Sequence, residues 1–171
     1  KTGANVMDSV TNFPMLVRIS GSVGGTPITD LVQGSGTNAP PDIRFLDGDG
    51  KTWLNYQVER WDRSPSVDSA EVWVLVPQVD GNSDHDFITM YYQQASGVTV
   101  ADGQCASCVF STSNGFAGVW HLNEDGNNNV GGYLDATANA NHGQGVSMVA
   151  TSDVGGIAGN GQDLDGSEDY I

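Results

Sequence analysis

Apolar and polar residues alternate along most of this chain, and the 3.6-residue period of a helix is nearly absent. Residues 13–20, FPMLVRIS, place Phe13, Met15, Val17 and Ile19 on one face of a predicted strand. Breakers fill the stretch that follows, with room for a short strand or turn at 26–32. A strand is predicted over 42–47 and a tight hairpin turn at DGDGKT. Further strands are predicted over 53–62, 70–79 and 86–94. The 70–79 segment is apolar almost throughout, the signature of burial on both faces. Six such elements with regular turn spacing predict an antiparallel sandwich over 1–95.

Residues 96–116 are small, polar and Gly-rich and read as a connection carrying a C-x-x-C motif. A second β pattern occupies 117–171, opening with a strand at 117–124. At about 55 residues it is short for a sandwich of its own, and completion by further chain is expected. KTGANVMDSV at the start and DLDGSEDYI at the end read as cuts within a longer polypeptide. The expected fold class is all-β: an antiparallel sandwich followed by part of a jelly roll.

Charge narrows the partners. With 6 cationic and 21 acidic side chains, the formal net charge is −15. That repels phosphate backbones and excludes nucleic acid as a natural partner. It suits an exported protein and one that meets divalent cations. No apolar run reaches 18 residues, so membrane insertion by this segment is not expected.

Cys105 and Cys108 lack the second ligand pair of a zinc site and the βαβ context of a redox motif. A small disulfide loop formed in an oxidising compartment is the expected state, with free thiols and metal or redox roles as alternatives.

Three stretches invite functional readings. On the 53–62 strand, alternation puts Trp53, Asn55, Gln57, Glu59 and Trp61 on one face and Leu54, Tyr56 and Val58 on the core face. Two aromatics among amides and an acid form a candidate glycan platform; the competing reading is that the tryptophans cover the sheet as packing. YLDATANANHG, 133–143, gathers oxygen donors in Asp135, Asn139 and Asn141, and the later turn adds Asp165 and Asp169. These five are candidate ligands of a structural calcium ion; the alternative is that they cap turns through the backbone. His142 reads as part of the turn. DGDGKT holds the first two acids of an EF-hand loop, but Lys51 occupies the third position and a hairpin turn is the simpler reading.

No Gly-x-Ser-x-Gly, His-Glu-x-x-His or phosphate loop is present. Glu124 with Asp125, or Glu59 with Asp62, could be paired as glycosidase acids, yet both pairs sit where strands end in solvated turns. His85 and His121 have no evident Ser or Cys partner. No catalytic residue is assigned.

GVWHLNED, YLDATANANHGQGV and GGIAGNGQDLDGSEDYI resemble, in order, the opening of a laminin-G-like, concanavalin-A-like jelly roll of bacterial type. FPMLVRIS, PDIRFLDGDGKTWLNYQVERWD, AEVWVLVPQV and DFITMYYQQA are similar to a bacterial and archaeal extracytoplasmic domain of unknown function that precedes such jelly rolls. Some relatives are fused to proton-channel subunits of the MotA/TolQ/ExbB type. The resemblance implies an all-β module in an extracellular, cell-surface or periplasmic setting. Its expected role is non-catalytic: attachment to a glycan or protein at the cell surface, or self-association in an assembly. The alternatives are a periplasmic extension of a proton-driven motor and an accessory part of a polysaccharide-active enzyme.

Overall fold

The computed structural model describes residues 7–31, 42–64, 68–92 and 103–171. The expected opening of the chain, residues 32–41 of the breaker-rich stretch, the end of the 86–94 strand and residues 96–102 of the connection lie outside them. The protein is all-β, and the chain divides into two units, 1–105 and 106–171.

The first unit is a sandwich of two three-stranded antiparallel sheets. β1 (Val10–Ser20) leads through a two-residue hairpin pair, β2 (Ser22–Val23) and β3 (Thr26–Pro27), into one helical turn, α1 (Ile28–Leu31). β4 (Ile43–Asp47), β5 (Trp53–Leu54), β6 (Tyr56–Asp62), β7 (Ser69–Val79) and β8 (Ile88–Tyr92) follow. One sheet has the order β1-β7-β6 and the other β5-β4-β8. Three residues of the predicted face of the first strand turn inward, Met15 opposite Val74, Val17 opposite Val72 and Ile19 opposite Ala70, while Phe13, opposite Val76, stays exposed. β7 is the central strand of its sheet, and Val72, Val74 and Val76 are buried there.

The predicted 53–62 strand is two strands. Asn55 interrupts it, so β5 pairs with β4 while β6 pairs with β7. The chain thereby passes from one sheet to the other, which closes that side of the sandwich. A second irregularity follows. Val58 faces Val72 and Arg60 faces Glu71, leaving Glu59 as the extra residue of a bulge. Ahead of the bulge the even positions Tyr56 and Val58 point inward; behind it the odd position Trp61 does, opposite Ala70.

Tyr56 joins the layers. Its ring is fully buried and meets Phe45 edge to face, and its hydroxyl donates to Ile43 O at 3.1 Å. Its backbone pairs with residues 103–105: Tyr56 N–H donates to Gly103 O and Cys105 N–H to Tyr56 O, both at 2.8 Å. Any Cβ on Gly103 would come 2.7 Å from Leu54 O, so this approach requires glycine.

In the second unit regular strands are few: β9 (Asp153–Gly155) pairs with β10 (Asn160–Gln162), and isolated bridges join Trp120 to Asp135, Tyr133 to Gly143 and Val146 to Tyr170. The strand pairs of a jelly roll are not present in it. Polar side chains take the place of ladders. Asn128 donates to Met148 O and accepts from Met148 N–H, as a neighbouring strand would. Gln162 donates to the carbonyls of Leu122 and Glu124. Tyr133 and Met148 are buried, and Tyr133 OH accepts from Asn127 N–H at 3.1 Å. Part of the expected connection is ordered within this unit. α2 (Ala106–Val109) buries Val109, and Phe110 packs edge to face on Phe116 and His121.

Candidate functional site

The platform expected on the 53–62 strand does not form as a single face. Trp61 is only 4% exposed and sits in the core, its indole N–H aimed at Thr29 O. Glu59 is buried, and its carboxylate accepts from the Trp73 indole at 2.9 Å. The physical reason is the pair of irregularities above: the break at Asn55 separates Trp53 from β6, and the bulge inverts the alternation before Trp61. Asn55 is exposed and Gln57 half-buried, but they belong to different segments from Trp53.

What the fold assembles instead is the outer face of the β5-β4-β8 sheet. Leu46 stands between Trp53 and Thr89, and Arg44 opposite Tyr91. The inward neighbours Ile43, Phe45 and Leu54 are core, so Arg44, Leu46, Trp53, Thr89 and Tyr91 share the outward side. Trp53 and Tyr91 are 46% and 49% exposed, and their rings meet edge to face with centroids 5.7 Å apart. Sequence reasoning reached Trp53 and missed Tyr91, Leu46 and Arg44, because partners across strands depend on pairing order.

The Asp135 loop is closed upon itself. The carboxylate is buried, and each oxygen accepts twice. Oδ1 accepts from Val119 N–H at 3.0 Å and Thr137 N–H at 2.9 Å. Oδ2 accepts from the Thr137 hydroxyl and Asn141 N–H, both at 2.9 Å. Burial by itself would raise the carboxyl pKa; the backbone N–H donors of Val119, Thr137 and Asn141, with the Thr137 hydroxyl, outweigh it and hold the group at about 2. Asp135 N–H donates to His142 Nδ1 at 3.0 Å, which puts the proton of the neutral ring on Nε2. Asn139 and Asn141 turn their amide nitrogens to Ala117 O. The residue at positive φ in this loop is Ala140 (φ 52°), not an asparagine.

Asp165 also organises a turn, accepting from the N–H groups of Ser167, Glu168 and Asp169, and these bonds lower its carboxyl pKa. Asp169 accepts from Asp165 N–H. Among the described residues, no three His, Cys, Asp or Glu side chains gather where they could hold a metal ion. Asp135, Asp165 and Asp169 are therefore not gathered into one such group, and both Asp135 oxygens already accept from the protein's own donors. In the DGDGKT turn, Asp49 accepts from Lys51 N–H, Thr52 N–H and the Thr52 hydroxyl, and Gly50 adopts φ 70°, as a hairpin connection requires.

Cys105 and Cys108 are disulfide-bonded. Among the described residues, no helix is long and apolar enough to cross a membrane. Residues 39–123, just under half of the chain, match the family described as a domain of unknown function (DUF2341). That stretch includes β4 to β8 and both exposed rings, and the family carries no assigned activity. No curated protein and no solved structure matches the chain.

Proposed function

We propose that this chain is a non-catalytic binding module that works outside the cytoplasm and takes glycans on the outer face of the β5-β4-β8 sheet. The observation that carries this reading is the exposed Trp53–Tyr91 pair held on a sheet face. A pyranose ring offers an apolar C–H face to an aromatic plane and hydroxyls to flanking polar groups. Here Leu46 extends the apolar strip, while Arg44 and Thr89 supply polar atoms beside it. A disulfide in a four-residue loop suits an oxidising compartment.

Affinity electrophoresis through gels containing soluble polysaccharides tests it. The wild-type chain is expected to be retarded by at least one neutral or acidic glycan. Trp53→Ala and Tyr91→Ala should each weaken that retardation roughly tenfold, the loss of about 1.4 kcal/mol of stacking. Both rings are half exposed, so neither change should disturb the core. Mobility unaffected by every polysaccharide, or retardation intact in the double variant, would count against a glycan role for this face.

A further inference from the structure

Between the edge of β1, the 47–49 turn and the 85–88 segment that leads into β8, a cleft of about 610 Å³ opens. The chain's switch of sheets at Asn55 closes the opposite side, but among the described residues β1 and β8 are both terminal strands of their sheets. Met15, Val17, Val76 and Ile88 supply apolar walls, with the exposed Phe87 at the mouth. Four consecutive β1 residues, 15–18, line the cleft, although alternate ones point to opposite faces of the sheet. The edge of the strand, rather than one of its faces, is therefore what the cleft presents.

The hydrogen-bonding direction of that edge follows from register. Leu75 donates its N–H to Asn55 O, on the β6 side. Backbone groups alternate along a strand, so Val72, Val74 and Val76 direct theirs toward β1, where they meet Val17, Met15 and Phe13. Leu16 consequently turns its N–H and C=O away from β7 and into the cleft, where no strand stands beside it among the described residues. Pro14 shares that orientation and has no N–H to offer, which ends the usable edge at its N-terminal side.

Asp47, Asp49, Asp80 and Asp86 are among the residues that line the cleft, together with Arg18 and His85. They are not gathered into a metal site, so the charge calls for a cation held on a longer ligand. The geometry points to this seam as a docking slot for an extended peptide segment, which pairs with the β1 edge at Leu16 and carries lysine or arginine side chains to the acidic rim. Its alternate aliphatic side chains would enter between Met15, Val17 and Ile88. A second copy of this chain is the poorer occupant, since each copy has net charge −15 and only 6 cationic side chains.

Fluorescence anisotropy with the whole chain and a labelled Lys-Val-Lys-Val-Thr-Val-Lys peptide tests this. Binding is expected, at least tenfold weaker for the peptide with Glu in place of Lys and for the peptide N-methylated at alternate residues. Asp47→Asn/Asp80→Asn should weaken it by a similar factor, whereas Asp125→Asn/Asp163→Asn should leave it unchanged. The N-methyl peptide probes edge pairing without altering the protein, and Leu16→Pro, checked by circular dichroism, probes the same bond from the other side. Absence of binding would overturn the proposal. So would equal affinity for the N-methylated peptide, equal loss in both double variants, or displacement by spermidine as effective as by unlabelled peptide.

Discussion

Asp135 shows how a single carboxylate can stand in for a sheet ladder. Four donors, from Val119 and from Thr137 and Asn141 of its own loop, converge on its two oxygens. An amide offers one acceptor oxygen and presents an NH2 group to the remaining donors, so Asp135→Asn should lower the melting temperature by several degrees and loosen the environment of Tyr133 and Trp120 in near-ultraviolet circular dichroism. The pH dependence has a definite sign. The folded-state carboxyl lies at about 2, below its ordinary 3.8. Its stabilisation is fully present above the ordinary value and is lost as pH falls toward and through about 2. Acid titration of the wild type should show this loss below the ordinary carboxylate range, and the Asn variant should lack that component.

At the scale of elements, the outer face of the β1-β7-β6 sheet depends on a cross-strand ion pair. Arg60 contacts Glu71 through Nε at 2.7 Å and Nη2 at 2.9 Å, and the hydrogen bonds to Glu71 raise the guanidinium pKa. Glu71 is buried while the Arg60 side chain is 31% exposed. Removing the arginine leaves a buried carboxylate without its bidentate partner. Arg60→Ala is therefore expected to cost about 2 kcal/mol in denaturant unfolding, less than a fully buried pair would because solvent reaches one partner. Arg60→Lys should recover only part of this, since an ammonium cannot form the two-pronged contact. Gly103 poses a steric question instead. A methyl group there would press on Leu54 O, so Gly103→Ala should cost about 1–3 kcal/mol, read as a lower denaturation midpoint with an unchanged m-value.

For the molecule as a whole, net charge of −15 on 171 residues makes self-repulsion a standing cost. Raising NaCl from about 20 to about 300 mM, which shortens the screening length well below 10 Å, should raise the melting temperature. Calcium provides a separate comparison. A loop closed by its own donors should melt at the same temperature in millimolar CaCl2 and in EDTA once ionic strength is matched. A rise specific to calcium would show that oxygen atoms of Asn139, Asn141, Asp165 or Asp169 are recruited in solution.

Alternation alone put Phe13, Met15, Val17 and Ile19 on one face and marked 70–79 as a strand with a buried face, because side chains in a sheet repeat every second residue and core faces must be apolar. Phe13, at the end of that face, stays exposed, and the other face of 70–79 is half-buried at Trp73 and Leu75. It also singled out YLDATANANHG as an ordered polar loop, since Asp, Asn and Thr side chains bond the backbone near them in sequence. Tertiary structure alone decided which aromatics face outward. The break at Asn55 and the extra residue Glu59 change the parity of one strand, sending Trp61 into the core while Trp53 finds Tyr91 from a distant strand. Neither event alters the local pattern of apolar and polar letters, so no reading of periodicity could detect it. The fourfold use of Asp135 was hidden for a related reason: its donors include Val119, which nears the loop only when the chain folds back.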